Sequence, residues 1–311
     1  MKLLLLCAGF ATRLEAITHG GPKPLLEIAG RSLLDRLLDD LLGGAAAAPR
    51  RDRDECSAGE GCSGRGTPRD KARTAGERAS PSVGEGREQD GGGKGAGASP
   101  GVGDVRAGEI DEILVVTNAR HFAAYEAWAT TRPVDDPPRR ILDDGATGNA
   151  NRLGAVRDLA LAVEAFRPGA PLLVAAGDNL FRFDFAEFLD DYRCRPRSLV
   201  LAMRERDLAR RRRSGVARLD DEGRILEFEE KPPHPRGEWV CPPVYIFAAD
   251  ALAELPAFLN VAPDTDAPGN FVGWLARRGL VWAHRMAGER FDVGTPESWA
   301  AAPAWLARSH A

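Results

Sequence analysis

Short, continuous apolar runs alternate along this chain with stretches whose apolar residues recur every three or four positions. Leu3 to Leu6 is the first run, with the length and composition of a strand buried on both faces. Ser32 can cap a following helix in which Leu33, Leu34, Leu37, Leu38, Leu41 and Leu42 share one face, and Gly43-Gly44 ends it. After a long break, residues 110–117 (IDEILVVT) read as a strand, followed by a helix through His121, Tyr125 and Trp128. Residues 139–142 read as a short strand, 155–166 as a helix, 171–176 (PLLVAA) as a buried strand and 181–192 as a helix. Residues 198–204 alternate as a strand, and 214–220 with 224–228 form a hairpin around Asp220-Asp221-Glu222-Gly223. A strand over 239–247, helices near 249–259 and 270–278, a strand over 280–284 and a final helix with Trp299 and Trp305 complete the pattern. Strands alternating with helices in the first half predict an α/β fold with a mainly parallel, doubly wound sheet.

The break, residues 45–109, has a different character. It holds close to half of the chain's glycines and many Arg, Glu, Asp, Ser and Pro, with valine as its only large apolar residue. Such a composition buries too little area to offset the entropy of ordering, so it reads as a disordered, low-complexity insertion within a single domain spanning 1–311. Cys56 and Cys62 lie inside it without further ligands and make a poor metal site.

Composition narrows the function. At 311 residues and 43% hydrophobic content the chain can bury a substantial core. A formal charge of −4 argues against a nucleic-acid-binding surface as its main business. The apolar start is too short for a signal peptide and no stretch approaches a membrane span, so no membrane partner is expected. Five cysteines (Cys7, Cys56, Cys62, Cys194 and Cys241) show no metal-ligand spacing, and the odd count suits a reducing, cytoplasmic setting.

The chemistry gathers at the ends of the apolar runs. Leu3–Leu6 leads into Cys7-Ala8-Gly9-Phe10-Ala11, a small-residue turn of the kind that gathers backbone N–H groups around phosphate oxygens. Arg13 and Lys23 would add fixed positive charge. Each feature alone is ordinary: a Gly turn often only connects strand to helix, and a lone Arg or Lys is usually solvated. Asp178 follows the strand over 171–176, where open α/β sheets place ligands and where a carboxylate could hold Mg²⁺; alone it would read as a turn or cap residue. Asp292 sits at a similar junction, with Thr295 placed to cap the last helix. Glu230-Lys231-Pro232 closes the hairpin, and Pro232 would fix the direction of the Lys231 side chain. His19 and His234 read as loop bystanders and Arg210–Arg213 as a solvated loop.

These residues together resemble the sugar-phosphate nucleotidyltransferases, including those of the glucose-1-phosphate thymidylyltransferase type. Their opening, roughly L-A-A-G-x-G-T-R-L followed by K-P-K-P-L, is similar to residues 6–14 and 22–26, with Cys7 for the first Ala and Ala11 for the second Gly. Gly177-Asp178-Asn179, Glu230-Lys231-Pro232 and residues 291–298 (FDVGTPES) resemble three further signatures in the family's order. The resemblance implies a Rossmann-like, three-layer α/β/α fold of the GT-A-like type, with a mainly parallel mixed sheet. It implies Mg²⁺-dependent transfer of a nucleotidyl group from a nucleoside triphosphate to a sugar 1-phosphate. By it, Asp178 and Asp292 hold Mg²⁺, Arg13 meets the nucleotide's phosphates and Lys23 the reacting phosphates. Lys231 would bind the acceptor phosphate and Glu230 the sugar hydroxyls, with Ala8 and Gly9 in the substrate-binding turn. The family's Pro-Leu-Gly-Thr-Ala stretch corresponds to Leu153-Gly154-Ala155, preceded here by Asn151 and Arg152, so Gly154 and Asn151 are expected at the substrate while base and sugar stay open. Two alternatives stand beside this reading: a non-catalytic binding subunit on the same fold, and transfer to phosphocholine or a similar phosphate monoester. A homo-oligomer is compatible with the sequence. The absence of G-x-G-x-x-G after the first strand and of G-K-[ST] disfavours a dinucleotide oxidoreductase and a P-loop kinase.

Overall fold

The computed structural model describes residues 1–47, 110–167, 171–262 and 264–308. The first part of the chain runs β1 (Lys2–Leu6), α1 (Glu15–Thr18), β2 (Glu27–Ile28), β3 (Arg31–Ser32), α2 (Leu33–Ala47), β4 (Glu112–Thr117), α3 (Phe122–Thr131), β5 (Arg139–Asp143), α4 (Ala155–Phe166) and β6 (Leu172–Ala176). It continues with β7 (Asn179–Arg182), α5 (Phe185–Cys194), β8 (Leu199–Arg204), α6 (Leu208–Arg211), β9 (Gly215–Leu219), β10 (Ile225–Glu230), β11 (Trp239–Cys241) and β12 (Val244–Phe247). Helices α7 (Ala249–Ala253), α8 (Leu255–Val261) and α9 (Gly269–Arg277), strands β13 (Trp282–Arg285) and β14 (Glu289–Asp292), and α10 (Pro296–Ala307) finish it.

A ten-stranded mixed sheet organises these elements in the order β10-β9-β11-β8-β12-β6-β1-β4-β5, with β13 pairing β8. Strands β6, β1, β4 and β5 are parallel, while the arm from β12 to β10 pairs antiparallel. The interiors of β1, β4 and β6 are apolar because both faces are covered, while the edge strand β5 (RRILD) is only partly buried. Leu3 and Leu5 enter one core with Leu34, Leu37 and Leu41 of α2, Tyr125 of α3 and Phe188 of α5. Leu4 enters the other with Leu159 of α4, Phe258 of α8 and Phe271 of α9. Helices on both faces make the expected three layers. Each fully buried leucine contributes on the order of 2 kcal/mol of transfer free energy. A third, smaller core of Ile28, Leu180, Val293 and Trp305 fixes the β7–β14 ribbon against α10.

Several boundaries differ from expectation, each for a physical reason. Helix α2 is capped by the Ser32 hydroxyl, which accepts from the Asp35 N–H at 3.0 Å, but it passes Gly43-Gly44 and reaches Ala47. Glycine inside a helix costs only about 1 kcal/mol against alanine, and the alanines that follow are the best helix formers. Beyond Ala47 the expected insertion lies outside the described residues. The predicted 239–247 strand is two, because Pro242-Pro243 supplies no N–H to a ladder. Phe181 belongs to β7 rather than to a helix; β14 recruits residues 179–182, and Asp184 starts α5 by accepting from the Ala186 N–H at 2.8 Å. Part of the arginine run, expected as loop, forms α6, where the Asp207 side chain caps the helix.

Candidate active site

The carboxyl ends of β1 and β6 lie side by side, Leu6 paired with Ala176, and a cleft of about 270 Å³ opens above them. Gly9, Ala11, Arg13, Lys23, Asn149, Arg152, Asp178 and Gly294 are among the residues that line it.

The turn after β1 is held from outside. The Cys7 N–H donates to Val116 O, and the Asn118 amide, just past β4, donates to Ala8 O at 2.9 Å. His121 ties the same corner to the Gly20 carbonyl at 3.1 Å. Among the described residues the backbone N–H groups of Ala8, Gly9, Phe10 and Ala11 have no protein acceptor. Unpaired N–H groups on this turn, which lines the same cleft as Arg13 and Lys23, suit an anion. Ala11 adopts φ 52, a left-handed conformation that its methyl makes unfavourable by about 1 kcal/mol against glycine.

Lys23 and Asp178 meet across the cleft floor, Nζ to Oδ2 at 2.8 Å. Burial opposes the charge of Asp178, but the Lys23 ammonium, through charge and hydrogen bond, and the more distant Arg290 guanidinium outweigh it, so the carboxyl sits below its ordinary range. Its other oxygen accepts from the Asn179 amide at 2.7 Å, and Asn179 Oδ1 accepts from Arg290 Nε at 2.6 Å. The β7–β14 register pairs Asn179, the residue after Asp178, with Asp292. The cap is as expected: the Thr295 hydroxyl accepts from the Ser298 N–H at 3.2 Å. Among the described residues no group of three His, Cys, Asp or Glu side chains forms a metal site. The carboxylate of Asp178, held ionised, with Asp292 on the strand paired to Asn179, suits Mg²⁺, which takes one or two carboxylates and completes its shell with phosphate oxygens and water. Cys7 beneath the turn is no nucleophile, because burial pushes its thiol up to about 12.

Glu230 and Lys231 stand further along the same rim. Ala176 donates its N–H to Pro243 O; two residues earlier Cys241 pairs with Gly215, which in turn pairs with Glu230. Glu230 is largely buried, and burial raises its carboxyl above the ordinary value despite Lys231, whose Nζ lies 3.5 Å from Oε1. Gly269, the first residue of α9, lies where a Cβ would come within 2.0 Å of Glu230 Oε2, so a larger residue there would displace the Glu230 carboxylate. Lys231 is exposed, at φ 46.

Thus Arg13, Lys23, Asp178 and Gly9 line one cleft, Asp292 lies on the strand paired with Asn179, and Glu230 with Lys231 forms a separate group. Asn151 does not face the cleft as expected: its Oδ1 accepts from the N–H groups of Thr147 and Gly148 at 3.1 and 3.0 Å and shapes its own loop. Asn149 and Arg152 line the cleft in its place. Gly154 acts through its backbone, at φ 89, where a Cβ would sit 2.6 Å from Thr265 O. Asn118 and Arg290 position the site and were not singled out from sequence. Arg290 stands two residues before Asp292, which was its only signal.

A profile of the nucleotidyl transferase family matches residues 102–308. The glucose-1-phosphate adenylyltransferase of Thermomicrobium roseum is 30% identical over 137 residues, 43% of this chain and 32% of that protein. The same enzyme of Fervidobacterium nodosum is 26% identical over 130 residues, 41% of this chain and 31% of that one. The chain therefore matches about a third of the length of these curated relatives. Among solved structures, a Bacillus anthracis protein assigned as a glucose-1-phosphate thymidylyltransferase superposes with a TM-score of 0.64 at 18% identity, covering 100% of this chain and 97% of that one. A UDP-glucose pyrophosphorylase bound to UDP-glucose superposes with a TM-score of 0.67 at 16% identity, covering 98% and 97%. At those identities the likeness is one of fold.

Proposed function

The chain belongs to the nucleotidyl transferase family, and from that premise we propose that it transfers a nucleotidyl group from a nucleoside triphosphate to a sugar 1-phosphate, releasing pyrophosphate. The observation that carries the reading is the Lys23–Asp178 pair at 2.8 Å, in the cleft that Arg13 and the β1 turn also line. We read residues 1–311 as one such domain in a cytoplasmic enzyme.

The chemistry asked of this chain is positioning and charge neutralisation. An oxygen of the acceptor phosphate attacks the α-phosphorus of the triphosphate; the new P–O bond forms as the bond to the β-phosphate bridging oxygen breaks, and pyrophosphate leaves with that electron pair. The turn from Ala8 to Ala11 holds the nucleotide by backbone N–H groups. Arg13 neutralises the triphosphate, and Lys23 serves the oxygens that gain charge as the bond breaks. Asp178 and Asp292 are the residues that would hold Mg²⁺, which supplies further neutralisation and alignment of the phosphates when bound. Arg290 and Asn179 keep Asp178 aimed. Lys231 takes the acceptor phosphate and Glu230 its hydroxyls, so the acceptor meets the rim beyond β6 while the nucleotide meets β1. Neither Cys7 nor His121 takes part in bond making.

The test is pyrophosphate release with Mg²⁺ across UTP, dTTP, CTP, GTP and ATP, each paired with a panel of sugar 1-phosphates and phosphocholine. Release that needs one nucleotide and one sugar 1-phosphate, and that Asp178→Asn abolishes, supports the reading. Release with phosphocholine alone moves the acceptor class; nucleotide binding without turnover on any acceptor favours a binding subunit.

A further inference from the structure

One cation of the cleft is already engaged by a carboxylate of the protein. Arg152 lines the cleft with Arg13, Lys23 and Asp178, yet its Nη2 donates to Asp266 Oδ2 at 2.8 Å. The pair spans 114 residues of sequence and joins the loop before α4 to the segment before α9. Its two partners are unequally free. Asp266 sits on backbone fixed at several points: its carbonyl accepts from the Ala155 N–H at 3.2 Å, and Thr265 O accepts from the Val156 N–H at 2.9 Å. The Thr265 hydroxyl donates to Leu153 O, and the Asp266 N–H is taken by Asp264 Oδ1. Gly154 lets these backbones approach so closely. Arg152 is tied only by its guanidinium, with no other protein partner among the described residues.

We propose that Arg152 is a triphosphate ligand kept in reserve by Asp266. Without nucleotide the guanidinium rests on the fixed carboxylate; when a nucleoside triphosphate enters, it passes to the phosphate oxygens; when pyrophosphate departs, it returns to Asp266. The exchange is feasible because the ion pair is half-exposed on both sides, 50% and 51%, and such a pair is weak. A polyphosphate carries more charge than one carboxylate and takes an arginine fork in two-point fashion. The step needs no backbone movement, since Asp266 stays on its anchors. It deepens the proposed function and rests on it: Asp266 becomes a positioning residue that tunes how tightly the triphosphate is held and how readily pyrophosphate leaves.

Inorganic tripolyphosphate with Mg²⁺ tests this without knowledge of the base. Its dissociation constant is measured by titration calorimetry for the full-length chain and for Arg152→Gln, Asp266→Asn and the double variant; both side chains are half-exposed, so folding is not at stake. The expected pattern is binding about tenfold weaker in Arg152→Gln and about fivefold tighter in Asp266→Asn, with the double variant within about twofold of Arg152→Gln alone. The latch is overturned if Asp266→Asn binds no tighter, if Arg152→Gln binds as well as the unaltered chain, or if Asp266→Asn tightens binding equally when Arg152 is absent, which would mean the carboxylate acts through space. Failure of the unaltered chain to bind tripolyphosphate at all would remove the nucleotide reading along with the latch.

Discussion

The two ends of the catalytic rim are built on opposite plans. At the β1–β6 end, charges are paired and fixed: Lys23 holds Asp178, Arg290 holds Asn179, and Asn118 holds the turn. At the β9–β10 end, Glu230 is buried under Gly269 with its carboxyl raised, and Lys231 projects into solvent on a left-handed residue. On the proposed function the first end is prepared for a polyanion before one arrives, which is where electrostatic preorganisation contributes most to rate. The second offers one movable cation and one buried acceptor, suited to choosing an acceptor rather than to stabilising the reacting phosphates. Loss of charge should therefore damage turnover at one end and substrate choice at the other.

Asp178→Asn is the sharpest probe of that contrast. It leaves Lys23 without its counter-ion and is expected to lower kcat for pyrophosphate release on the order of 10³-fold, while thermal stability changes little by comparison. A loss below tenfold would break the contrast.

The next effect concerns stability beneath the nucleotide end. Asp158, buried at the start of α4, has its carboxyl pushed up to about 8, first by burial, then by the Asp144 carboxylate and its hydrogen bond, and by the charge of Asp266. A folded-state value raised this far means that the folded chain takes up a proton between about pH 4 and pH 8. Stability accordingly falls as pH rises through that window, and the penalty is complete above it. Asp158→Asn removes the ionisation and keeps a donor for Asp144. It is expected to stabilise the protein on the order of 3 kcal/mol at pH 8 and to flatten its stability between pH 5 and pH 8, read by urea unfolding at several pH values.

Lys231→Ala sharpens the contrast from the other side. Its expected effect is an acceptor KM raised about tenfold with the nucleotide KM within about twofold of the original, measured on the substrate pair that supports turnover. A parallel rise in nucleotide KM would place Lys231 at the triphosphate. The smallest effect belongs to Ala11→Gly, which relieves the left-handed alanine of the β1 turn. It is expected to add less than about 1 kcal/mol to stability, since glycine also gains entropy when unfolded. A clear loss of stability would show that the methyl is used in packing.

The architecture was largely legible because the strands that carry the site are buried on both faces. Leu3–Leu6 and residues 171–176 therefore announce themselves as unbroken apolar runs, and the charged residues of the cleft follow directly at their carboxyl ends. The short β7 was invisible, since four residues become a strand only by pairing with β14, 110 positions later. The break between β11 and β12 was missed, since the apolar run over 239–247 outweighed the missing donors of Pro242-Pro243 in its middle. The loop role of Asn151 was not legible, because an asparagine amide satisfies its own loop as readily as a ligand. Arg290 and Asp266 act by reaching partners more than a hundred residues away, Asn179 and Arg152, and no local pattern reports such reach.

The central claim is a single in-line displacement across this rim, nucleotide at the β1–β6 end and acceptor beyond it, with no protein group bonded to phosphorus. Its most direct test is the stereochemical course at the α-phosphorus, followed with a nucleoside 5′-O-(1-thiotriphosphate) of known configuration and the acceptor that supports turnover. Inversion is the expected result. Retention would require a covalent nucleotidyl-protein intermediate and would contradict the account.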